Sequence, residues 1–216
     1  FHAHVKGRRS NNKIRKLQRE DGSWTENEEE VVSEISDYFQ KLFPCGDRRD
    51  MSEVLEGIPC SITHEMNAKL TKPIEKKEIK NALFSMQPEK APGQDGMPPL
   101  FFQRFWNILK GDIIPAILSF FNTGHMLKSI NHTVISLIPK FLHPTCLKDF
   151  RPISLCSVIY KIISKILANR LKPILDICIS NTQSAFIPDR QILDNVIIAH
   201  EYMHYLKNKR QGLDGY

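Results

Sequence analysis

Residues 136–155 constrain this chain more than any other stretch. Residues 134–138 are rich in β-branched side chains and Pro139 closes the run, so Ser136-Leu137-Ile138-Pro139-Lys140 reads as the end of a short strand. Arg151, within Asp149-Phe150-Arg151-Pro152-Ile153-Ser154-Leu155, stands eleven positions beyond Lys140. Two extended segments around one loop predict a β-hairpin that brings a lysine and an arginine to one side. A point-charge ammonium beside a bidentate guanidinium would make a clamp for a triphosphate. The same residues allow a plainer arrangement, in which Arg151 pairs with Asp149 and Lys140 merely solvates a turn.

The rest of the chain has the periodicity of helices. Val31, Val32, Ile35, Phe39 and Leu42 recur at helical spacing behind Glu28, Glu29 and Glu30, whose charge suits a first turn; Pro44 and Gly46 end that helix. Asp21-Gly22-Ser23-Trp24 reads as a turn. Thr63 is a candidate N-cap, and residues 75–86 put Ile79, Ala82, Leu83 and Met86 on one apolar face. Residues 88–96 hold two prolines and two glycines and break regular structure. Helices resume over 100–109 and 113–122, with Gly124 as the residue past the end. Residues 157–174 form a helix whose Ile159, Ile162, Ile163 and Ile166 face inward, with Lys161, Lys165 and Lys172 sharing another side. Residues 187–190 are a loop, and 192–206 are the last helix. The expected class is α+β, mostly helical, with one small β-hairpin.

Charge divides the chain. Residues 1–19 carry seven Lys/Arg and no acid, residues 20–56 carry twelve Asp/Glu against three Lys/Arg, and residues 57–216 balance at +8. The overall charge of +6 leans toward an anionic partner, although a basic run is also the ordinary form of a solvated face. Cys45, Cys60, Cys146, Cys156 and Cys178 are odd in number and form no C-x-x-C pair, which argues against a zinc ribbon or a disulfide framework. No apolar run is long enough to span a bilayer and no signal-peptide core opens the chain, so the expectation is an intracellular protein, nuclear or cytoplasmic, and neither secreted nor membrane-bound. Phe1 in place of Met suggests a piece of a longer reading frame.

Three further groups could carry chemistry. The loop 90–96 is loose enough for its backbone N–H groups to approach a phosphate backbone, although it matches neither a P-loop nor a dinucleotide fingerprint and could be an ordinary connecting loop. Lys161, Lys165 and Lys172, with Arg170, could track phosphates or simply be the wet face of an amphipathic helix. His200-Glu201-Tyr202-Met203-His204 matches the H-E-x-x-H zinc signature on a helix, but a catalytic zinc needs a third protein ligand. Only Asp214 follows as a candidate, and we read the match as accidental.

Taken in order, these stretches resemble the reverse transcriptase of plant non-LTR (LINE-type) retrotransposons. Phe1-His2-Ala3 with Arg8-Arg9-Ser10-Asn11-Asn12-Lys13-Ile14, and then Tyr38-Phe39-Gln40-Lys41-Leu42-Phe43, resemble the connector upstream of the polymerase. Lys90-Ala91-Pro92-Gly93-Gln94-Asp95-Gly96 is similar to the family's K-A-P-G-P-D-G loop. Leu137-Ile138-Pro139-Lys140, Phe150-Arg151-Pro152-Ile153-Ser154-Leu155, Ala168-Asn169-Arg170-Leu171 and Gln183-Ser184-Ala185-Phe186-Ile187-Pro188-Asp189-Arg190 follow in the family's order.

The resemblance implies a helical connector over 1–56, and fingers with only the start of a palm over 57–216. It implies that Lys140 and Arg151 hold the phosphates of an incoming deoxynucleoside triphosphate. It implies that the loop around Lys90, Gly93 and Asp95 contacts the RNA template upstream of the active site, and that Gln183 and Arg190 lie near the fingers–palm junction, against template or nucleotide. The partners implied are an RNA template and a DNA primer. Gln94 replaces the family's proline, and Asp189 stands where glycine is usual. The family's catalytic aspartates, which hold magnesium in the complete enzyme, are expected past Tyr216. The chain is therefore expected to bind without catalysing, with no catalytic residue, metal site or cofactor of its own. A helix that normally packs on the palm would expose apolar surface. The competing readings are a relic without function and, through His200 and His204, a zinc hydrolase.

Overall fold

The computed structural model describes residues 13–43, 52–180, 182–184, 187 and 189–209. Cys45, Pro44, Gly46, Asp214, the first twelve residues of the connector resemblance and Ala185, Phe186 and Pro188 lie outside them. The elements run α1 (Glu28–Leu42), α2 (Ser52–Glu56), α3 (His64–Thr71), α4 (Lys76–Phe84), α5 (Pro99–Arg104), α6 (Trp106–Thr123), α7 (Lys128–Asn131), β1 (Val134–Pro139), a 3-10 turn (Leu147–Asp149), β2 (Phe150–Leu155), α8 (Val158–Cys178) and α9 (Ile192–Asn208). The chain is thus mostly helical with one antiparallel two-stranded sheet.

Local chemistry accounts for the helix ends. Asn27 caps α1, its Oδ1 accepting from the Glu30 N–H at 2.9 Å. Thr63 caps α3 by accepting from the Met66 N–H at 3.2 Å. At α4 the Glu75 N–H donates to the Glu78 carboxylate at 3.0 Å, the return arm of a capping box. Gly124 ends α6 in the left-handed region at φ 71°.

One helix break differs from expectation. The break falls at Phe105, and Gly111 lies inside a continuous α6. A mid-helix glycine costs about 1 kcal/mol. Trp106, Ile113 and Ile117 are all buried on this helix, on one narrow arc before and after Gly111 in sequence, and each contributes roughly 1.5–3 kcal/mol. Burial therefore outweighs the glycine. The short helices α2 and α7 are too brief to leave a periodic signal.

By internal contacts the chain forms two compact units, each drawn from several segments. One is residues 1–53, 88–104 and 126–158; the other is residues 54–87, 105–125 and 159–216. The division at residue 56 that the resemblance implies is a boundary along the chain, whereas these units follow proximity in space.

In the first unit, Leu17, Val31, Leu147 and Phe150 are buried together, with Ile14, Ile35, Tyr38 and Leu137 packed against them. The basic segment that carries Leu17 is therefore part of a core. The Leu17 N–H donates to Thr25 Oγ1 and its carbonyl accepts from the Thr25 N–H, both at 2.9 Å. Gly22, at φ 86°, turns the chain between these partners. In the second unit, Ile79, Ala82 and Leu83 of α4, Ile113 and Ile117 of α6, and Ile162, Ile163 and Ile166 of α8 are buried. Trp106 meets Phe84 edge-on, ring centroids 6.2 Å apart.

By contrast, α9 buries none of its residues. Ile192, Leu193, Val196, Ile198, Tyr202 and Met203 are all more than half exposed. Among the described residues no helix is long and apolar enough to cross a membrane, and Cys60, Cys146, Cys156 and Cys178 are free thiols.

Because Leu17 is fully buried, Leu17→Ala should destabilise the chain by about 2–5 kcal/mol, read as a lower midpoint in urea unfolding. A midpoint equal to that of the parent would place Leu17 outside the core.

Candidate nucleotide and nucleic-acid interface

In the first unit the hairpin sets the geometry. Ile138 pairs with Arg151 and Pro139 with Phe150 in the antiparallel register, and the Lys140 N–H donates to the Asp149 carbonyl at 2.8 Å, extending the ladder by one pair. Side chains alternate faces along a strand. Lys140 therefore shares a face with Ile138 and Arg151, diagonal to the arginine. Pro139 and Phe150 occupy the opposite face, where Phe150 is buried.

Asp149 does not neutralise Arg151. Its carboxylate accepts from the Thr145 N–H at 2.9 Å and the Cys146 N–H at 3.0 Å, and these bonds, that from Cys146 foremost, hold its carboxyl below the usual carboxylate range. Arg151 is exposed and makes no ion pair or side-chain hydrogen bond among the described residues. Lys140 rests its Nζ on the Lys148 carbonyl, on the facing arm. The arrangement presents two cations on one face of a ribbon whose tip is held rigid by Asp149.

The loop carrying Lys90, Gly93 and Asp95 sits at the other end of the same ribbon. A Cβ on Gly93 would lie 2.8 Å from the Ser157 backbone nitrogen and 2.9 Å from the Cys156 carbonyl carbon. Glycine is required there by the close approach of two backbones just beyond β2. The Gly96 N–H donates to the Gly93 carbonyl at 3.1 Å, closing a turn, and Gly96 takes φ 70°. Gln94 occupies the first central position of that turn, where proline's fixed φ is favoured. Asp95 accepts from the Met97 N–H at 3.1 Å, and Lys90 is exposed. From Cys156 back to Arg151 is roughly 16 Å along the strand. The loop and the cation pair are therefore placed at opposite ends of one element.

The second unit holds the remaining basic candidates, and two of its arginines have structural partners. Arg170 reaches from α8 to Glu78 of α4 with its Nε at 2.9 Å and its Nη2 at 2.8 Å, and it also donates to the carbonyls of Leu70, Lys72 and Pro73. On the helical wheel Arg170 lies about half a turn from Lys161, on the flank of the buried isoleucines. Lys161, Lys165 and Lys172 lie within a narrow arc of one another. The basic stripe of α8 is thus three lysines, with Arg170 elsewhere on the helix.

Arg190 donates to the carbonyls of Ser180 at 2.6 Å and Gln183 at 2.9 Å and to the Asp176 carboxylate at 3.0 Å, tying the end of α8 to the loop behind it. Gln183 contributes its backbone carbonyl to that knot. Beside it, Asp189 takes φ 62°, a conformation that glycine adopts at less cost. This is a physical reason for the glycine that the resemblance leads one to expect there. His200 and His204 lie on exposed α9, and among the described residues no group of three His, Cys, Asp or Glu could hold a metal ion.

Residues 138–213 match the family model of reverse transcriptase (RNA-dependent DNA polymerase). Over that stretch the chain is similar to reverse transcriptases. The matched stretch begins inside β1 and takes in Lys140, Arg151, Lys161, Lys165, Arg170, Gln183 and Arg190, while the loop around Gly93 precedes it. The chain is also 34% identical, over 215 residues and 99% of its own length, to the "Transposon TX1 uncharacterized 149 kDa protein" of Xenopus laevis, and spans 16% of that protein. The chain is thus similar to part of a transposon protein.

Gly93→Ala should destabilise the chain by about 1–3 kcal/mol, since backbone atoms are what a new methyl would strike. Gly96→Ala, with open space around it but a positive φ, should cost about 1 kcal/mol. Equal melting temperatures for parent and Gly93→Ala would remove the packing argument.

The Arg170 guanidinium beside Glu78 holds that carboxyl below its usual range. A depressed carboxylate pKa contributes stability that is present above the unfolded value of 4.5 and is lost as pH falls through the folded value. Arg170→Lys keeps the charge but removes the fork, so it should lower the urea midpoint at neutral pH and flatten its acid dependence. An unchanged acid limb in Arg170→Lys would show that the pair does not couple to folding.

Proposed function

We propose that this chain is the fingers-side portion of a reverse transcriptase from a LINE-type retrotransposon, of the plant kind that its motifs resemble. In this reading it binds an incoming deoxynucleoside triphosphate and the RNA template. Lys140 and Arg151 receive the triphosphate, Arg151 as a bidentate donor and Lys140 as a point charge that leaves the Lys148 carbonyl when phosphate arrives. The observation that carries the reading is the hairpin register. It puts both cations on one face and leaves Arg151 exposed with its nearest acid already occupied.

The loop at Lys90, Gly93 and Asp95 contacts the template, with Gly93 fixing its position and Lys90 presenting charge. Lys161 and Lys165 extend the basic surface of the second unit toward nucleic acid. Arg170, Gln183 and Arg190 act by positioning: their bonds shape α8 and the loop that follows it. Magnesium belongs to the complete polymerase. In this reading binding and orientation are the steps this chain performs.

The test is titration of the 216-residue chain with a fluorescent deoxynucleoside triphosphate at low salt. Arg151→Ala and Lys140→Ala should each weaken binding about tenfold or more, the range expected for hydrogen bonds to charged groups. Affinity should fall as salt rises, and the chain should extend no primer when magnesium is supplied. Parental affinity in both variants would refute the clamp, and primer extension would refute the assignment of catalysis to residues outside this chain.

A further inference from the structure

The second face of the hairpin borders a different surface. A groove of about 440 Å³ beside the tip is lined by Lys13, Arg15, Lys16, Trp24 and His143, with Pro139 and Phe150 among the residues behind them. Pro139 and Phe150 face away from Lys140 and Arg151, so this groove is distinct from the triphosphate clamp. Among the described residues no carboxylate lines it. Lys13 has a long contact to Glu28 at 3.5 Å, while Arg15 and Lys16 are exposed and have no ion pair among the described residues.

The cations are held in place by backbone. The Gln18 N–H donates to the Thr145 carbonyl at 2.8 Å, and Leu17 exchanges bonds with Thr25 while its side chain is buried. The segment is thereby pinned along the hairpin tip with Arg15 and Lys16 outward. Across the groove, the Gln18–Trp24 bridge fixes the position of Trp24, which is 46% exposed and has no aromatic neighbour among the described residues. A fixed indole face beside a row of cations is the pairing that unpaired nucleic acid requires: bases stack on the ring while lysine and arginine follow the phosphates. A duplex hides its base faces and gains only the charge.

We infer that this groove is a second binding site, for an unpaired nucleic-acid strand, used at the same time as the clamp on the other face. Stacking and phosphate contact are common to RNA and DNA, so the test carries both.

The test uses the full chain, with oligouridylate, oligothymidylate and a duplex of equal length as probes. Strand binding is read as the anisotropy of a fluorescently labelled strand and, in every variant that keeps Trp24, also as quenching of its emission, since Trp106, the second tryptophan of the chain, is 8% exposed. Either single strand should quench and bind more tightly than the duplex. Trp24→Ala and the double variant Arg15→Glu/Lys16→Glu should each weaken binding about tenfold, the double variant also showing a shallower salt dependence, while Trp24→Phe retains most of the affinity. Tighter oligouridylate assigns the groove to RNA, tighter oligothymidylate to DNA, and equal affinity to the features they share. Lys140→Ala and Arg151→Ala should leave strand quenching intact while lowering triphosphate affinity, which separates this site from the clamp. These groove side chains are exposed, so their variants should melt with the parent. Parental strand affinity in both groove variants, or a duplex bound as tightly as the single strands, overturns the inference.

Discussion

The pairing of Ile138 with Arg151 is the constraint from which the first unit takes its form. A shift of one residue would send Arg151 to the face where Phe150 is now buried and bring Phe150 into water. Burying Phe150 with Leu17, Val31 and Leu147 makes that slip costly, so the hydrophobic core fixes the direction of the charges. Asp149 then fixes the tip, because its carboxylate bonds to two N–H groups of the loop. At the far end Gly93 lets the loop of residues 90–96 settle against Cys156 and Ser157. One short ribbon thereby carries a cation pair near its tip and a tightly packed glycine loop at its base.

The second unit shows a different use of positive charge. Arg170 and Arg190 each gather several carbonyls and one carboxylate. A guanidinium presents five donors in a rigid fork, and that geometry suits it to cross-linking backbone that would otherwise be unsatisfied. A lysine cannot serve in the same way, which is consistent with the lysines of α8 forming the stripe and Arg170 the staple. Net charge alone does not separate cations that shape the fold from cations that could meet a polyanion; the partners of each one do.

This explains which parts of the molecule were legible in the sequence. The hairpin was, because a β-branched run closed by proline is a local signal. So were the Thr63 cap and the Gly124 terminus, where one residue type answers one backbone need. The role of Arg170 was not, since Glu78 lies 92 positions away. The helical wheel carried a partial warning, placing Arg170 away from Lys161 and beside the buried isoleucines. Gly93 read as looseness, and its actual constraint comes from backbone more than sixty positions later, at Cys156 and Ser157. Leu17 was hidden in a basic run, because composition averages over the one residue that faces inward. The continuity of α6 through residues 110–112 was not legible, since periodicity along the chain does not report the burial of Trp106, Ile113 and Ile117 on one face.

The same reasoning bears on the two faces of the hairpin. A ribbon of two strands alone is marginal in water and needs a hydrophobic face packed on something larger. Here the packing is supplied by the arm carrying Leu17, and that arm necessarily brings its neighbours Arg15 and Lys16 to the ribbon's edge. The basic groove is thus a direct consequence of how the hairpin is supported. Any change that loosens Leu17 would disturb the groove and the register of the clamp together, whereas changes at Arg15, Lys16 or Trp24 would touch the groove alone. Stability and the two candidate binding surfaces are therefore coupled through one buried leucine and separable at the exposed residues around it.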